Sequence, residues 1–335
     1  MVGEASGNTQ SSEHRVDAIV IGAGFGGLYA TYRLREQGLD VQSFEAGAGV
    51  GGTWYWNRYP GARVDSQSEV YQYWFSDKVL DSWNWSERFP SQAEVERYLN
   101  FVADECDIRK HYAFETRVVS ADYDEAQHRW RVTTDRGVVY SAQFLVACTG
   151  GLSVPQYPDI PGIDDFQGEL VHTARWPKEG LDVEGKRVGV VGTGATGIQV
   201  IQTLAPAAKE LIVFQRTPTY AIPMRNPAYD DNDRARIKAS YPELKKRVFN
   251  TFTGFAFDFQ EREWSDLSPD ERRQLMEELW ADGSLTFWVG TFMDVFFDPE
   301  ISKQFGEFVA DKIRQRVKDP VTAEKLIPKD HGFGS

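Results

Sequence analysis

The chain has 335 residues, of which 37 are basic and 50 acidic, so its formal net charge is −13. This excess of acid, without any block of lysines and arginines, argues against a nucleic-acid partner, because binding to phosphates depends on basic side chains. No apolar run approaches the ~20 residues that a membrane span requires. The only two cysteines, Cys106 and Cys148, exclude a disulfide framework and a zinc–cysteine site, and they favour a reducing, cytoplasmic compartment.

The first part of the chain predicts a βαβ unit. Residues 1–15 are polar and lack the apolar segment of a signal peptide, so we expect a disordered tail there. Residues 16–21 are apolar, as in a buried strand, and lead directly into the glycine-rich turn 22–27. A helix is expected over 28–37 and a second strand over 41–45.

The same pattern occurs a second time, after a proline-rich linker at 155–162. Its predicted elements are strand 186–191, turn 192–197, helix 198–208 and strand 211–214. Between the two copies, residues 116–146 alternate as strands do, with a turn near 135–137. Residues 230–319 are helical and amphipathic, with Ser265 and Ser268 as expected helix starts.

The predicted fold class is therefore α/β, with two Rossmann-like dinucleotide-binding domains (FAD and NADP) and a helical insertion. We place the N-terminal part of an FAD-binding domain at 16–152, the N-terminal part of an NADP-binding domain at 153–225 and the helical insertion at 226–335.

Each turn carries the GxGxxG pattern between a strand and a helix. The glycines are Gly22, Gly24 and Gly27 in the first copy and Gly192, Gly194 and Gly197 in the second. In such a turn the first glycine permits the sharp bend, the second lets a pyrophosphate approach the backbone, and the third lets helix and strand pack closely. Two copies in this context favour two dinucleotide sites.

The residues after each second strand distinguish the two cofactors. Glu45 is placed to accept hydrogen bonds from ribose hydroxyls, which favours an unphosphorylated dinucleotide, FAD or NAD. At the aligned position stands Gln215, followed by Arg216 and Thr217. An arginine can grip a 2′-phosphate that a carboxylate would repel, so the second site is expected to take NADP(H). A solvated arginine at a strand end is the alternative for Arg216. Together the two sites indicate a flavin enzyme that NADPH reduces.

Two further motifs carry a family resemblance. Residues 166–177, FQGELVHTARWP, fit FxGxxxHxxxWP, and residues 51–65, GGTWYWNRYPGARVD, fit GGxWxxxxYPGxxxD. With both glycine motifs, the chain resembles Baeyer–Villiger monooxygenases, which are class B flavoprotein monooxygenases, from about Asp17 to its last residue. Residues 255–259 and 278–280 most resemble the cyclic-ketone branch.

The resemblance implies roles for particular residues. Asp65 would lie near the reactive face of the flavin and hold the arginine that stabilises a peroxyflavin anion. Flavin contacts are implied for Gly52, Thr53, Trp54, Tyr55, Trp56, Tyr71 and Val118. The NADP pyrophosphate would be held by Thr193, Gly194, Ala195, Thr196, Gly197 and Gln199, and the hinge between domains would contain Phe166, Gly168, His172 and Trp176.

Without the family resemblance, these residues could also have purely structural roles. His172 could be a hydrogen-bonded structural histidine, and Asp65 could be a turn or cap aspartate. Trp54 and Trp56 could simply pack in the core.

The implied reaction uses FAD, NADPH, O2 and a ketone. NADPH would reduce the flavin, O2 would form a C4a-peroxyflavin, and this would insert one oxygen into a ketone to give an ester or lactone. No nucleophilic triad or metal cluster is expected, because the cofactor performs the chemistry. In the family a segment like 326–331 is followed by a Lys-Arg pair, whose arginine is catalytic. We therefore expect either the N-terminal portion of such an enzyme or a shortened, inactive nucleotide-binding protein. A related flavin-containing N- or S-monooxygenase is a further alternative.

Overall fold

A computed structural model describes residues 13–333. Within these residues the strands are β1 (His14–Ile21), β2 (Val41–Phe44), β3 (Tyr112–Ala113), β4 (Val118–Asp124), β5 (Arg129–Thr134), β6 (Val139–Ala147), β7 (Arg187–Val191) and β8 (Glu210–Phe214). The helices are α1 (Phe25–Glu36), α2 (Thr53–Trp56), α3 (Asp77–Ser82), α4 (Gln92–Glu105), α5 (Ala195–Leu204), α6 (Asp231–Asn250), α7 (Pro269–Asp282), α8 (Thr286–Val289), α9 (Pro299–Arg316) and α10 (Pro320–Leu326).

The chain divides into two compact units, whose boundaries differ from the predicted domains. The first unit contains residues up to 59 and residues 92–180, and the second contains 60–91 and 181–335. Residues 153–180 group with the first unit, and the helical insertion groups with β7, α5 and β8. The predicted domain bounds at 16–152, 153–225 and 226–335 stay predictions. Most of the predicted tail lies outside the described residues, but β1 begins at His14, so the last two residues of that tail already belong to the strand.

The first unit is built on a six-stranded sheet with the order β3-β2-β1-β6-β5-β4. Strands β3, β2, β1 and β6 are parallel, and β5 pairs antiparallel with both β6 and β4. Side chains alternate along β1, as the period of a strand requires. Ala18 and Val20 pack on the side of Leu34 from α1, while Ile19 packs with Phe44 on the opposite face.

The second unit combines a two-stranded parallel sheet, β7-β8, with a helical core. Aromatic side chains dominate this core, among them Trp264, Phe287, Phe305 and Phe308. Ser268 caps α7 through its hydroxyl, as expected, whereas Ser265 lies inside a short 3-10 helix and starts no helix. The prediction at Ser265 is wrong because a serine followed by proline at the first helical position is the stronger start signal.

The predicted α/β class with two βαβ units is confirmed. α1 and α5 begin at Phe25 and Ala195, three residues earlier than expected, because the third glycine of each turn is already helical. Of the helices in the described residues, none is both long and apolar enough to cross a membrane.

Candidate dinucleotide-binding sites

The turn between β1 and α1 requires glycine for two physical reasons. Gly22 has φ +105°, a backbone conformation that L side chains rarely adopt. A Cβ added to Gly27 would lie 1.7 Å from the carbonyl oxygen of Gly22, so only a hydrogen fits where α1 crosses the strand end. The N-terminus of α1 has no side-chain cap and no acidic residue in its first turn. Its N-terminal N–H groups and positive dipole end therefore suit an anionic ligand.

Gly51 and Gly52 lie between β2 and α2, and they pack against the turn between β1 and α1. Gly51 donates its N–H to the Ala23 oxygen at 3.0 Å. A Cβ on Gly24 would meet the Gly52 Cα at 3.3 Å, and one on Gly52 would lie 2.6 Å from the Gly24 Cα. The two backbones are in contact. The glycine pair Gly51 and Gly52 therefore packs against the first glycine turn. The motif had implied only a flavin contact for Gly52.

Glu45 holds the same turn from the end of β2. Its two carboxylate oxygens accept N–H groups of Ala23 at 2.8 Å and Gly47 at 2.7 Å. The side chain is buried, with 6% of the residue exposed. A carboxylate oxygen has more than one lone pair, so the predicted ribose hydrogen bonds remain available to it. Glu45 therefore also has a structural role that its spacing from Gly22 did not predict.

A buried hydroxyl network supports the turn from beneath. Tyr112 donates its hydroxyl to the Gly22 carbonyl at 3.1 Å, and Thr31 lies 3.2 Å from that hydroxyl, 2.9 Å from the Gly27 carbonyl and 2.8 Å from the Ser43 hydroxyl. Burial raises the pKa of the Tyr112 phenol well above its usual range, so it stays protonated and can donate throughout the neutral range. The side chains of Thr31, Ser43 and Tyr112 belong to no sequence motif, so this network was not predicted.

Changing Tyr112 to phenylalanine is expected to destabilise the chain by about 1–2 kcal/mol, because the half-buried Gly22 carbonyl loses a donor. Urea unfolding measures this, with Tyr140→Phe as the matched control. Tyr140 packs on Phe44 in the same unit and makes no hydroxyl hydrogen bond with any described residue. Equal losses in the two variants would contradict the role of the Tyr112 hydroxyl.

Helix α2 carries four of the predicted flavin residues: Thr53, Trp54, Tyr55 and Trp56. Trp54 is buried. The Tyr55 hydroxyl accepts the Ala48 N–H at 3.0 Å, so this ring closes the loop after β2. The Arg175 guanidinium lies 5.0 Å from the centroid of the Trp56 ring, and the Lys178 ammonium lies 5.4 Å from that of Tyr55. The Arg175–Trp56 contact joins the two family motifs inside the first unit, and Lys178 adds a second contact from the residue that follows the later motif.

The residues of the predicted hinge all lie in the first unit. His172 accepts the Ala174 N–H at its Nδ1, 3.1 Å away, and its ring centroid is 4.9 Å from that of Tyr157. A Cβ on Gly168 would collide with the Phe166 ring at 2.7 Å. Trp176 is half-buried. His172 therefore caps a short 3-10 helix over Thr173–Arg175, and its role in a hinge stays a prediction.

The second glycine turn repeats the geometry of the first. Gly192 has φ +99°, and a Cβ on Gly197 would lie 2.3 Å from the Gly192 oxygen. Gly194 differs: it is exposed, its φ is −72°, and an added Cβ would meet no atom within 4 Å. Space is therefore open where the pattern predicts a pyrophosphate. The Thr193 hydroxyl donates to the Thr217 oxygen at 3.3 Å, which links this turn to the end of β8. Ala195 and Thr196 form the first turn of α5.

At the end of β8 the basic side chain is free. Arg216 is exposed and forms no hydrogen bond or ion pair with any residue in the described range. Gln215 donates its side-chain amide to the Lys325 oxygen at 2.8 Å. Gln199, expected at the pyrophosphate, donates to the Arg63 oxygen at 3.2 Å. Arg216 is thus available to a ligand, while Gln199 and Gln215 already make contacts within the second unit. Its role at a 2′-phosphate stays a prediction.

The remaining predicted flavin residues are distributed over both units. Val118 opens β4 in the first unit and is half-buried. Asp65 and Tyr71 lie in the second unit, where Asp65 is exposed and Tyr71 is half-buried. No group of three or more potential metal ligands occurs among residues 13–333, and both cysteines there are free thiols.

Comparisons with known proteins agree with this geometry. Residues 14–229 match the model of the flavin-binding monooxygenase-like family. Acetone monooxygenase (methyl acetate-forming) of Gordonia sp. (strain TY-5) is 51% identical over 320 residues, covering 96% of this chain and 60% of that protein. Cyclopentanone 1,2-monooxygenase of Comamonas sp. (strain NCIMB 9872) is 41% identical over 337 residues, covering 100% and 61%.

A solved structure, the OTEMO complex with FAD and NADP, superposes with a TM-score of 0.92 at 47% identity. The match covers 95% of this chain and 61% of that one. This chain therefore spans about 60% of the length of the curated relatives it matches.

Proposed function

We propose that this chain, which belongs to the flavin-binding monooxygenase-like family, binds FAD and NADPH as part of a Baeyer–Villiger monooxygenase. Its membership and the names of its relatives confirm the resemblance that the sequence motifs indicated. The proposed substrates are a ketone, with the cyclic-ketone branch as the expected class, and O2. The proposed product is an ester or lactone.

The main support for this proposal is that the chain contains the same strand–glycine turn–helix unit twice. The end of the second strand is followed by an acidic side chain in one copy and by a basic side chain in the other. Both turns have a first glycine at positive φ and a third glycine against the first one's carbonyl. A buried carboxylate, Glu45, follows in one unit, and an exposed guanidinium, Arg216, follows in the other. This pair of endings fits an unphosphorylated dinucleotide and a 2′-phosphorylated dinucleotide.

The residues of the first unit fit FAD. The uncapped N-terminus of α1 would bind the pyrophosphate, Glu45 would accept from the ribose hydroxyls, and α2 with Trp54 would border the flavin. The second unit fits NADPH in the same way, with the open space at Gly194 for the pyrophosphate and Arg216 for the 2′-phosphate. When bound, the NADPH-reduced flavin supplies the chemistry that activates O2 for insertion beside a ketone carbonyl.

The chain's own residues position these groups and shape their surroundings. Glu45 and Tyr112 fix the glycine turn before a cofactor arrives, so that little reorganisation accompanies binding. Asp65 offers a carboxylate that no described residue engages, free to orient a cationic side chain beside the flavin. A fixed cation there would stabilise negative charge that develops during the reaction. A cytoplasmic location is part of the proposal, supported by the two free cysteines.

Product analysis tests the reaction class. The FAD-loaded protein, with NADPH, 18O2 and a cyclic or linear ketone, should give an ester or lactone that carries one 18O atom. Parallel reactions contain an amine or a thioether in place of the ketone. Oxygen transfer to nitrogen or sulfur without any ester from a ketone would contradict the proposal and favour an N- or S-monooxygenase.

Substituting Arg216 by alanine is expected to weaken NADPH binding by about 1.5–3 kcal/mol, because a charge-assisted phosphate contact is lost. NADH binding should change little, since NADH has no 2′-phosphate. Titration of both cofactors measures the effect. Arg187→Ala is the matched control, because that exposed arginine pairs with Glu210 on the neighbouring strand. Equal weakening of NADPH and NADH would exclude the phosphate role.

A further inference from the structure

We propose that Arg88 is a positioning residue that sets the place of Asp65. It would do so by fastening a ribbon of residues 63–68 and 87–91 to the C-terminal end of α7. We call this segment the Asp65 ribbon. The inference rests on the proposed function, because that function gives Asp65 its role beside the flavin. All residues that carry it lie in the second unit.

The Asp65 carboxylate depends on its backbone for its position. It is exposed and makes no hydrogen bond or ion pair with any part of the chain that the structure describes. The residues on either side of it are fixed by main-chain hydrogen bonds. Val64 donates its N–H to the Pro90 oxygen at 3.0 Å, and Ser68 donates to the Arg88 oxygen at 2.7 Å. A displacement of residues 88–90 would therefore move Asp65 directly.

The Arg88 side chain ties this ribbon to a residue 194 positions away. One Nη donates to the Asp282 main-chain oxygen at 3.0 Å, and the other donates to both Asp282 carboxylate oxygens at 2.9 and 3.1 Å. The Arg88 side chain is only 19% exposed. The guanidinium divides these three bonds between two nitrogens held in one plane, a geometry that the single nitrogen of an ammonium does not provide.

Asp282 is itself held in place. Its carboxylate also accepts the hydroxyls of Ser284 and Thr286, the latter at 2.8 Å. Burial works against its ionisation, but the hydrogen bonds from Ser284, Thr286 and Arg88 outweigh it, so the pKa of Asp282 lies below its ordinary value. The guanidinium also sits at the negative end of the α7 dipole, which favours a cation.

Further hydrogen bonds fix the Asp65 ribbon to neighbouring residues of the second unit. The Glu87 carboxylate accepts from Arg63 at 3.3 Å, from the Asn226 amide at 2.6 Å and from the Ser91 N–H at 3.1 Å. Arg88 also donates its own N–H to the Pro227 oxygen at 3.1 Å. These bonds hold the ribbon along one edge, and the Arg88–Asp282 pair is the contact that reaches the end of a long helix.

The first measurement is hydrogen–deuterium exchange of the chain without ligand. Arg88→Met keeps an unbranched apolar side chain but removes the guanidinium and its three hydrogen bonds. The Val64 and Ser68 amides are then expected to exchange at least tenfold faster. Arg314→Met is the matched control, because that arginine pairs with Asp311 and Glu324 in the same unit. Unchanged exchange at Val64 and Ser68 in the Arg88 variant would overturn the inference.

The second measurement asks whether Arg88 acts through Asp65. In the FAD-loaded protein, uncoupled turnover converts NADPH, O2 and a proton to NADP+ and H2O2, and its share of NADPH consumption is measured with a ketone present. Arg88→Met and Asp65→Ala should each raise this share severalfold, and the double variant should equal Asp65→Ala alone. Arg88→Lys should recover only part of the coupling. Additive effects of the two variants would overturn the positioning role.

Different results would contradict the proposed function and the positioning role of Arg88. A protein that binds both cofactors but makes no ester from any ketone contradicts the proposed function. In that case faster exchange at Val64 and Ser68, together with a changed visible spectrum of bound flavin in both the Arg88→Met and Asp65→Ala proteins, would still support the link from Arg88 to Asp65. An unchanged spectrum in the Arg88 variant beside a changed one in Asp65→Ala would overturn that link.

Discussion

Gly27→Ala is expected to abolish FAD binding and to lower the free energy of unfolding by about 3 kcal/mol or more. The added Cβ would lie 1.7 Å from the Gly22 oxygen and 2.7 Å from its carbonyl carbon. Both are main-chain atoms of the strand end, so no side-chain rotation relieves the overlap. The helix must separate from the strand, which is a severe form of overpacking. Urea unfolding followed by far-UV circular dichroism, and retention of FAD on a desalting column, measure the two effects.

The neighbouring glycine provides a matched control. An added Cβ on Gly26 would lie 3.5 Å from the Cys148 sulfur, an ordinary van der Waals distance. Since alanine favours a helix more than glycine does, Gly26→Ala should be neutral or stabilising by up to about 1 kcal/mol. A Gly27→Ala protein as stable as Gly26→Ala would contradict the packing described for this turn.

Gly194→Ala is expected to leave the fold intact and to weaken NADPH binding by at least about tenfold, or about 1.4 kcal/mol. The backbone at Gly194 suits any residue, and an added Cβ meets no atom within 4 Å. The methyl group would occupy space that the pyrophosphate needs. The substitution should therefore weaken binding of the ligand without disturbing the packing of the protein. Gly197→Ala should differ, because its Cβ would lie 2.3 Å from the Gly192 oxygen and should damage the fold itself.

Calorimetric titration with NADPH and thermal unfolding without it separate these outcomes. Undiminished NADPH affinity in a well-folded Gly194→Ala protein would show that this turn does not hold the pyrophosphate. Loss of thermal stability in the same variant would contradict the open space at Gly194.

The local features of the fold could be predicted from the sequence because short-range geometry determines them. The two turns are recognisable since a positive φ and a helix–strand contact both demand glycine at fixed spacing. The strands could be predicted because they are apolar and bounded by turn residues. Ser268 could be identified as a helix start because Pro269 follows it, whereas Ser265 without such a neighbour could not be excluded.

Long-range contacts could not be predicted in the same way. Nothing local indicates that residues 60–91 leave the first unit, since the contacts that hold them, such as Arg88 with Asp282 and Gln199 with Arg63, join distant parts of the chain. Tyr112 likewise reaches Gly22 across 90 positions. Pairings of this kind become visible only when the sheet and the helices are assembled. The boundaries of the units follow from these contacts and not from the proline-rich linker.

The visible spectrum of the chain with FAD, followed anaerobically as NADPH is added, shows whether this chain binds both dinucleotides and passes a hydride between them. We expect that the flavin stays bound after gel filtration and that its absorbance bleaches with NADPH, and much more slowly with NADH. Retained flavin that neither nucleotide reduces would contradict the pairing of the two sites. A chain that keeps no flavin would contradict the assignment of the first glycine turn to FAD.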